Sequence, residues 1–85
     1  MAKVEIYYWV TCPFCTKARG FLDSKGIEYE GHNITGDEAA RAKMVERTGG
    51  PKSVPQIFID DKHIGGCDDI HALDASGELD TLLNG

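Results

Sequence analysis

The sequence predicts a single α/β domain, a four-stranded mixed sheet flanked by helices on both faces, in the order β-α-β-α-β-β-α-α. Three observations carry this. At the N-terminal end, strand-like residues, a helical period of about a dozen residues and a second strand follow one another, which is how parallel strands joined by a crossover helix read. Further on, two β-rich segments flank the short turn Asp60-Asp61-Lys62, as in an antiparallel hairpin. The tail after Gly65-Gly66 returns to helical spacing.

Residues 3–8, Lys-Val-Glu-Ile-Tyr-Tyr, mix β-branched and aromatic residues with polar ones in partial alternation and form the first strand. The turn Thr11-Cys12-Pro13-Phe14-Cys15 follows. Over residues 13–25, Phe14, Ala18, Phe21 and Leu22 fall at i, i+4, i+7 and i+8 on one helical face. Pro13 suits the first helical turn and Gly26 a C-terminal cap. Residues 27–32 make the second strand. Thr35-Gly36-Asp37-Glu38 has the form of a capping box and opens a helix striped by Ala40, Met44 and Val45, which Gly49-Gly50-Pro51 ends. Residues 54–59, Val-Pro-Gln-Ile-Phe-Ile, are the most apolar strand, and residues 62–65 pair with them as the hairpin partner. Helices are expected over 68–74 and 76–83, the last with Leu79, Leu82 and Leu83 on one face. No repeat, linker or low-complexity segment divides residues 1–85.

With 85 residues the chain has room for one modest core, and three cysteines cannot supply the multi-disulfide staple of many small domains. Nine basic against fourteen acidic residues give a net charge of −5, with no basic run, which speaks against nucleic acid as a partner. No apolar stretch approaches the ~20 residues of a membrane span. The start, Met1-Ala2-Lys3-Val4-Glu5-Ile6, lacks the apolar core of a secretory signal, so the expected location is the cytoplasm and the expected state a monomer. In a reducing compartment a cysteine pair is more often catalytic or metal-binding than structural.

Cys12 and Cys15, two residues apart at a strand-to-helix junction inside a βαβ unit, mark a dithiol redox site. A disulfide needs Cα atoms about 4.4–6.8 Å apart, and a two-residue turn meets that range. It also keeps the first sulfur at the helix mouth, where the dipole and the unpaired N–H groups of the first turn favour a thiolate. Cys12 is therefore the nucleophile, and Cys15, within the first turn, is shielded and suited to resolve a mixed disulfide. The same spacing occurs in zinc sites, and Cys12, Cys15, His63 and Cys67 could make a Cys3His set. Against zinc, a helix and a strand intervene rather than a compact knuckle, and Pro13-Phe14 suits a helix start.

Three blocks, Thr11-Cys12-Pro13-Phe14-Cys15, residues 53–59 (Ser-Val-Pro-Gln-Ile-Phe-Ile) and residues 63–69 (His-Ile-Gly-Gly-Cys-Asp-Asp), resemble the signatures of dithiol glutaredoxins, closest to the bacterial and cyanobacterial type. The resemblance covers nearly the whole chain. It implies a thioredoxin-like fold, glutathione as electron donor with no permanently bound cofactor or metal, and disulfide-containing or glutathionylated proteins as partners. It assigns Pro55 as a cis-proline and the Val54 backbone as the edge on which the cysteinyl part of glutathione lies as a short added strand. Gly66, Cys67, Asp68 and Asp69 would hold the γ-glutamyl end, with an Asp carboxylate on its ammonium; ordinary helix capping is the other use of these aspartates. Arg41 would reach the glycine carboxylate, and Pro13 and Phe14 would line the ligand. One departure stands out: three residues before Cys12, where many members carry Lys, the chain has Trp9, an aromatic wall in place of a cation. Phe14 stands for the commoner Tyr. Cys67 reads as a small residue in a tight turn, and His32, His63 and His71 as surface or edge residues. A dimer sharing an iron–sulfur cluster through Cys12 and two glutathiones is the rival from another class, disfavoured by the stiffening effect of Pro13.

Overall fold

Residues 2–84 are described by the structure, a computed structural model. The alternation in β1 (Val4–Tyr8) sorts its side chains to two faces, and both faces are covered. Val4 and Ile6 pack with Ile57 and Ile59 of β3 (Gln56–Ile59) against Ala18 and Leu22 of α1 (Pro13–Ser24), Ile70 of α3 (Cys67–Ser76) and Leu79 of α4 (Glu78–Asn84). The opposite side, with Glu5, Tyr7 and Phe58, meets α2 (Glu38–Thr48) through Arg47. β2 (Glu30–Asn33) and β4 (Lys62–Gly65) are the edges of a sheet ordered β2-β1-β3-β4. β1 runs parallel to β2, with Ile6 beside Gly31, and antiparallel to β3, with Ile6 opposite Ile57. This is the expected mixed sheet with its crossover helix. No helix is long and apolar enough to cross a membrane.

Some boundaries differ from the expectation, each for a hydrogen-bonding reason. The second strand begins at Glu30, not at residue 27, because Ile27 N–H is used to close α1, donating to Leu22 C=O at 3.0 Å. Thr35 does not cap α2: its hydroxyl accepts Val10 N–H at 3.0 Å, and Asp37 is the cap, accepting Ala40 N–H at 3.0 Å. Both stabilise, one a loop and the other a helix start. β3 begins at Gln56, since Pro55 has no N–H to give to a ladder. The third helix starts at Cys67 and extends to Ser76, where Gly77 turns the chain in a left-handed conformation (φ 84°) before α4. The hairpin turn is Asp60-Asp61, both with positive φ (50° and 67°), as a two-residue type I′ connection requires.

Glu5 is buried in β1 with its carboxylate paired to Arg47: Nη1 to Oε1 at 3.1 Å and Nη2 to Oε2 at 3.0 Å. Arg47 also donates to Tyr7 Oη at 2.9 Å and lies 4.0 Å from the Phe58 ring centroid. His32 completes the group, its Nε2 lying 3.1 Å from Glu5 Oε1. The Arg47 guanidinium, outweighing the effect of burial, holds the Glu5 carboxyl below the ordinary glutamate range. Removing one partner of a buried pair strands the other's charge. Arg47→Ala should therefore cost about 2–3 kcal/mol at pH 7 in urea denaturation. Because the folded-state pKa is depressed, that contribution is fully present above the unfolded value near 4.3 and is lost as pH falls from there through the lower folded-state value. The stability difference between wild type and Arg47→Ala should narrow below about pH 4.

Candidate active site

β1 ends at Tyr8, and the chain turns over residues 9–12 with Cys12 N–H donating to Trp9 C=O at 3.3 Å. Cys12 stays extended (φ −92°, ψ 116°) as the N-cap of α1. Pro13 follows as the first helical residue, where its missing N–H costs nothing because that donor has no helical acceptor. Cys12 C=O accepts the first helical bond, from Thr16 N–H at 3.0 Å. Its Sγ accepts Cys15 N–H at 3.3 Å, as a serine hydroxyl does at ordinary N-caps. No acidic residue sits in the first turn of α1, so nothing of like sign opposes negative charge on this sulfur.

The thiols are unbonded and unequal. Cys12 is half-buried, whereas Cys15 is fully buried at 0 % exposure. Burial, and then the neighbouring Cys12 sulfur, push the Cys15 thiol up to about 12. Cys67 is buried too, and burial raises its thiol. The site thus presents one accessible sulfur with a protonated thiol directly beneath it.

A cleft of about 370 Å³ lies beside Cys12, lined among others by Phe14, Val54, Pro55, Gly66, Asp68 and Asp69. Val54–Pro55 is cis, and Val54 C=O lies 3.9 Å from Cys12 Sγ. α3 opens from Gly66, whose N–H donates to Asp69 Oδ2 at 2.9 Å. Asp69 is thus occupied in capping, while Asp68 stands exposed. Only glycine fits at residue 65, where φ is 125° and a Cβ would collide with the Asp69 carboxylate. Cys67 lines the cleft from the first turn of α3. Phe14 is 59 % exposed, its ring forming the rim.

Arg41 lies outside that lining. Its Nε and Nη2 both donate to Lys52 C=O, at 3.1 and 3.0 Å, behind the segment that carries Ser53 and Val54. Its guanidinium carbon is 5.2 Å from the centroid of the Trp9 ring. Of the residues foreseen from the sequence, Phe14, Val54, Pro55, Gly66, Cys67, Asp68 and Asp69 share one cleft, Cys12 adjoins it at Val54, and Arg41 stands outside it.

A brace beside the Val54 backbone has no signature in the chain. Gln56 is buried and donates from Nε2 to Ser53 C=O at 2.9 Å, while its Oε1 meets His63 Nε2 at 2.6 Å. With the amide nitrogen directed at Ser53, His63 must carry its proton on Nε2. His32 and His63 stand on the edge strands β2 and β4, as expected, but each has a partner: His63 lines the cleft, His32 pairs with Glu5, and the half-buried His71 lies with its ring centroid 4.4 Å from that of Phe21. The only available signal was alternation, which puts Gln56 and His63 on facing strands. The Cys3His zinc set does not assemble. Among the described residues, the group of three or more potential donors within 4.8 Å of one another is Glu5, Glu30 and His32.

A family model described as Glutaredoxin matches residues 4–64. The chain belongs to the glutaredoxin family. It is 58% identical to a probable glutaredoxin of Synechocystis sp., covering 98% of this chain and 94% of that one. It is 54% identical to Glutaredoxin 3 of Escherichia coli, covering 98% and 99%. Solved glutaredoxins superimpose on it: a buckwheat glutaredoxin–glutathione complex with TM-score 0.87 at 27% identity (98% and 77% covered), and the Brucella melitensis glutaredoxin with 0.83 at 43% (98% and 89%). The fold is thioredoxin-like and the protein a thiol–disulfide oxidoreductase.

In this glutaredoxin, brief treatment of the reduced native chain with iodoacetamide at pH 7 should alkylate Cys12 alone, because Cys15 and Cys67 are buried thiols. All three should react in guanidinium, and peptide mapping distinguishes the sites. Early native labelling at Cys15 would contradict this ordering of the thiols.

Proposed function

We propose that this glutaredoxin reduces protein disulfides and glutathione mixed disulfides with glutathione as electron donor, Cys12 attacking and Cys15 resolving. The observation that carries this is the Cys12 sulfur, half-buried, accepting the Cys15 N–H and lying 3.9 Å from the carbonyl of Val54, which lines the cleft. The buckwheat relative solved as a glutathione complex supports the choice of thiol.

Glutathione would lie with its cysteinyl backbone along Val54, where the chain has left the sheet and its peptide groups are free to pair with an added strand. Its γ-glutamyl carboxylate would meet the N–H groups of Cys67 and Asp68, which open α3 after Gly66, and the exposed Asp68 would face the ammonium. Asp69 would act through the cap, holding Gly66 in place. Arg41 would serve the glycine carboxylate from its seat on Lys52, and Pro13 and Phe14 would wall the sulfur.

In the first step the Cys12 thiolate attacks the glutathione sulfur of a mixed disulfide. The Cys12–glutathione bond forms as the substrate sulfur leaves as a thiolate and takes up a proton. A second glutathione thiolate attacks the same sulfur, returning Cys12 and releasing glutathione disulfide. With a protein disulfide, Cys12 attacks one sulfur and the other leaves as a thiolate; Cys15, losing its proton, then attacks the Cys12 sulfur and expels the second substrate thiolate. One glutathione thiolate opens Cys12–Cys15 at Cys12, freeing Cys15, and a second attacks that adduct, returning Cys12 and releasing glutathione disulfide. Burial keeps Cys15 protonated until a disulfide sulfur stands next to it.

The test is a glutathione-coupled assay on wild type, Cys12→Ser and Cys15→Ser. Cys12→Ser should be inactive on both substrate classes. Cys15→Ser should keep activity on a glutathionylated peptide and lose it on a protein disulfide. Activity in Cys12→Ser with a dead Cys15→Ser would reverse the roles.

A further inference from the structure

Trp9 is the one unusual residue of the site that the proposed cycle leaves without a task. Its backbone and its ring do different things. The carbonyl accepts Cys12 N–H at 3.3 Å, and the ring lies 5.2 Å from the Arg41 guanidinium carbon. Trp9 Nε1 is buried with no hydrogen-bond partner among the described residues, so the face of the ring rather than its N–H is the working part. Arg41 is held on a second side, since Nε and Nη2 share the Lys52 carbonyl. A guanidinium has five donors in one plane. Two bonds fix its edge, the indole lies against it at 5.2 Å, and the remaining Nη donors have no partner among the described residues.

We propose that Trp9 is a positioning residue for ligand binding, holding Arg41 so that its unused donors meet the terminal carboxylate of glutathione. This rests on the glutathione assignment above. An Arg side chain unsupported on one face spends its time among many rotamers, and a planar bidentate donor is effective only when its plane is set. The contact belongs to a chain of net charge −5 that must bind an anionic tripeptide, so one well-placed cation matters more than it would on a basic surface. The ring acts on ligand affinity, not on the sulfur chemistry.

The experiment is steady-state kinetics in glutathione for Trp9→Ala, Trp9→Phe, Arg41→Ala and the Trp9→Ala/Arg41→Ala double variant, with a glutathionylated peptide as substrate. A cation–π contact at a partly exposed site predicts that Trp9→Ala raises KM for glutathione roughly 2- to 5-fold. The effect should fall on KM rather than kcat, and Trp9→Phe should restore most of it. In the Arg41→Ala background, Trp9→Ala should change KM no further, because the ring acts through Arg41. An undiminished Trp9→Ala effect in that background, or an effect on kcat alone, overturns the proposal while leaving the glutathione assignment standing. A wild-type rate that does not depend on glutathione overturns both. Trp9 is the only tryptophan, so its emission gives a second measurement that no Trp9 variant need fold for. Arg41→Ala in the otherwise wild-type chain should shift Trp9 emission to the red as the ring face is uncovered, and unchanged emission overturns the proposal.

Discussion

Where β1 hands over to α1, the sulfur of Cys12 accepts the N–H of Cys15 at 3.3 Å, and the chemistry of the molecule is arranged around that contact. It needs a strand that stops at Tyr8, a turn closed by the Trp9 carbonyl, and a helix that begins on a proline. Together these hold one sulfur at the open end of a helix and place the other inside the first turn, against the core. Burial of Cys15 and partial exposure of Cys12 follow from the spacing itself: residue 15 begins to face inward where residue 12 is still outside the helix. Two chemically identical side chains thereby acquire different tasks.

The second constraint is the placement of α2 on the far side of the sheet. Its C-terminal turn is fastened by the Arg47–Glu5 pair, with Phe58 beneath and Asp61 of the hairpin turn 3.2 Å away. The same helix carries Arg41 to the Lys52 carbonyl, next to the segment that presents Val54. An ion pair distant from the thiols thus bears on where Arg41 can stand. From the other side, Gln56 and His63 tie Ser53 to the hairpin. The Val54 segment is held from both directions.

Much of this was visible in the chain. Phe14, Ala18, Phe21 and Leu22 at helical spacing after Cys12-Pro13 were enough to place both thiols on a helix start, and Gly65-Gly66 was enough to end the hairpin. Residues 27–29 misled because their β-branched and aromatic character is used to pack beneath the loop that closes α1 rather than to pair. Thr35 misled because a hydroxyl that can cap a helix can equally bridge to a neighbouring loop, here at Val10. Glu5, Arg47, Gln56 and His63 are polar residues at alternating or helical positions that on their own read as solvent-facing. Only the topology, by laying α2 on the second face, buries Glu5 and gives it a partner.

The central claim is that the two active-site sulfurs act in a fixed order. It is tested most directly by mixing the reduced wild-type chain with excess glutathione disulfide, quenching in acid over the first turnover and mapping the products by mass spectrometry. The first glutathione adduct should sit on Cys12 and then decay into a Cys12–Cys15 disulfide. A first adduct on Cys15 or Cys67 would contradict the account.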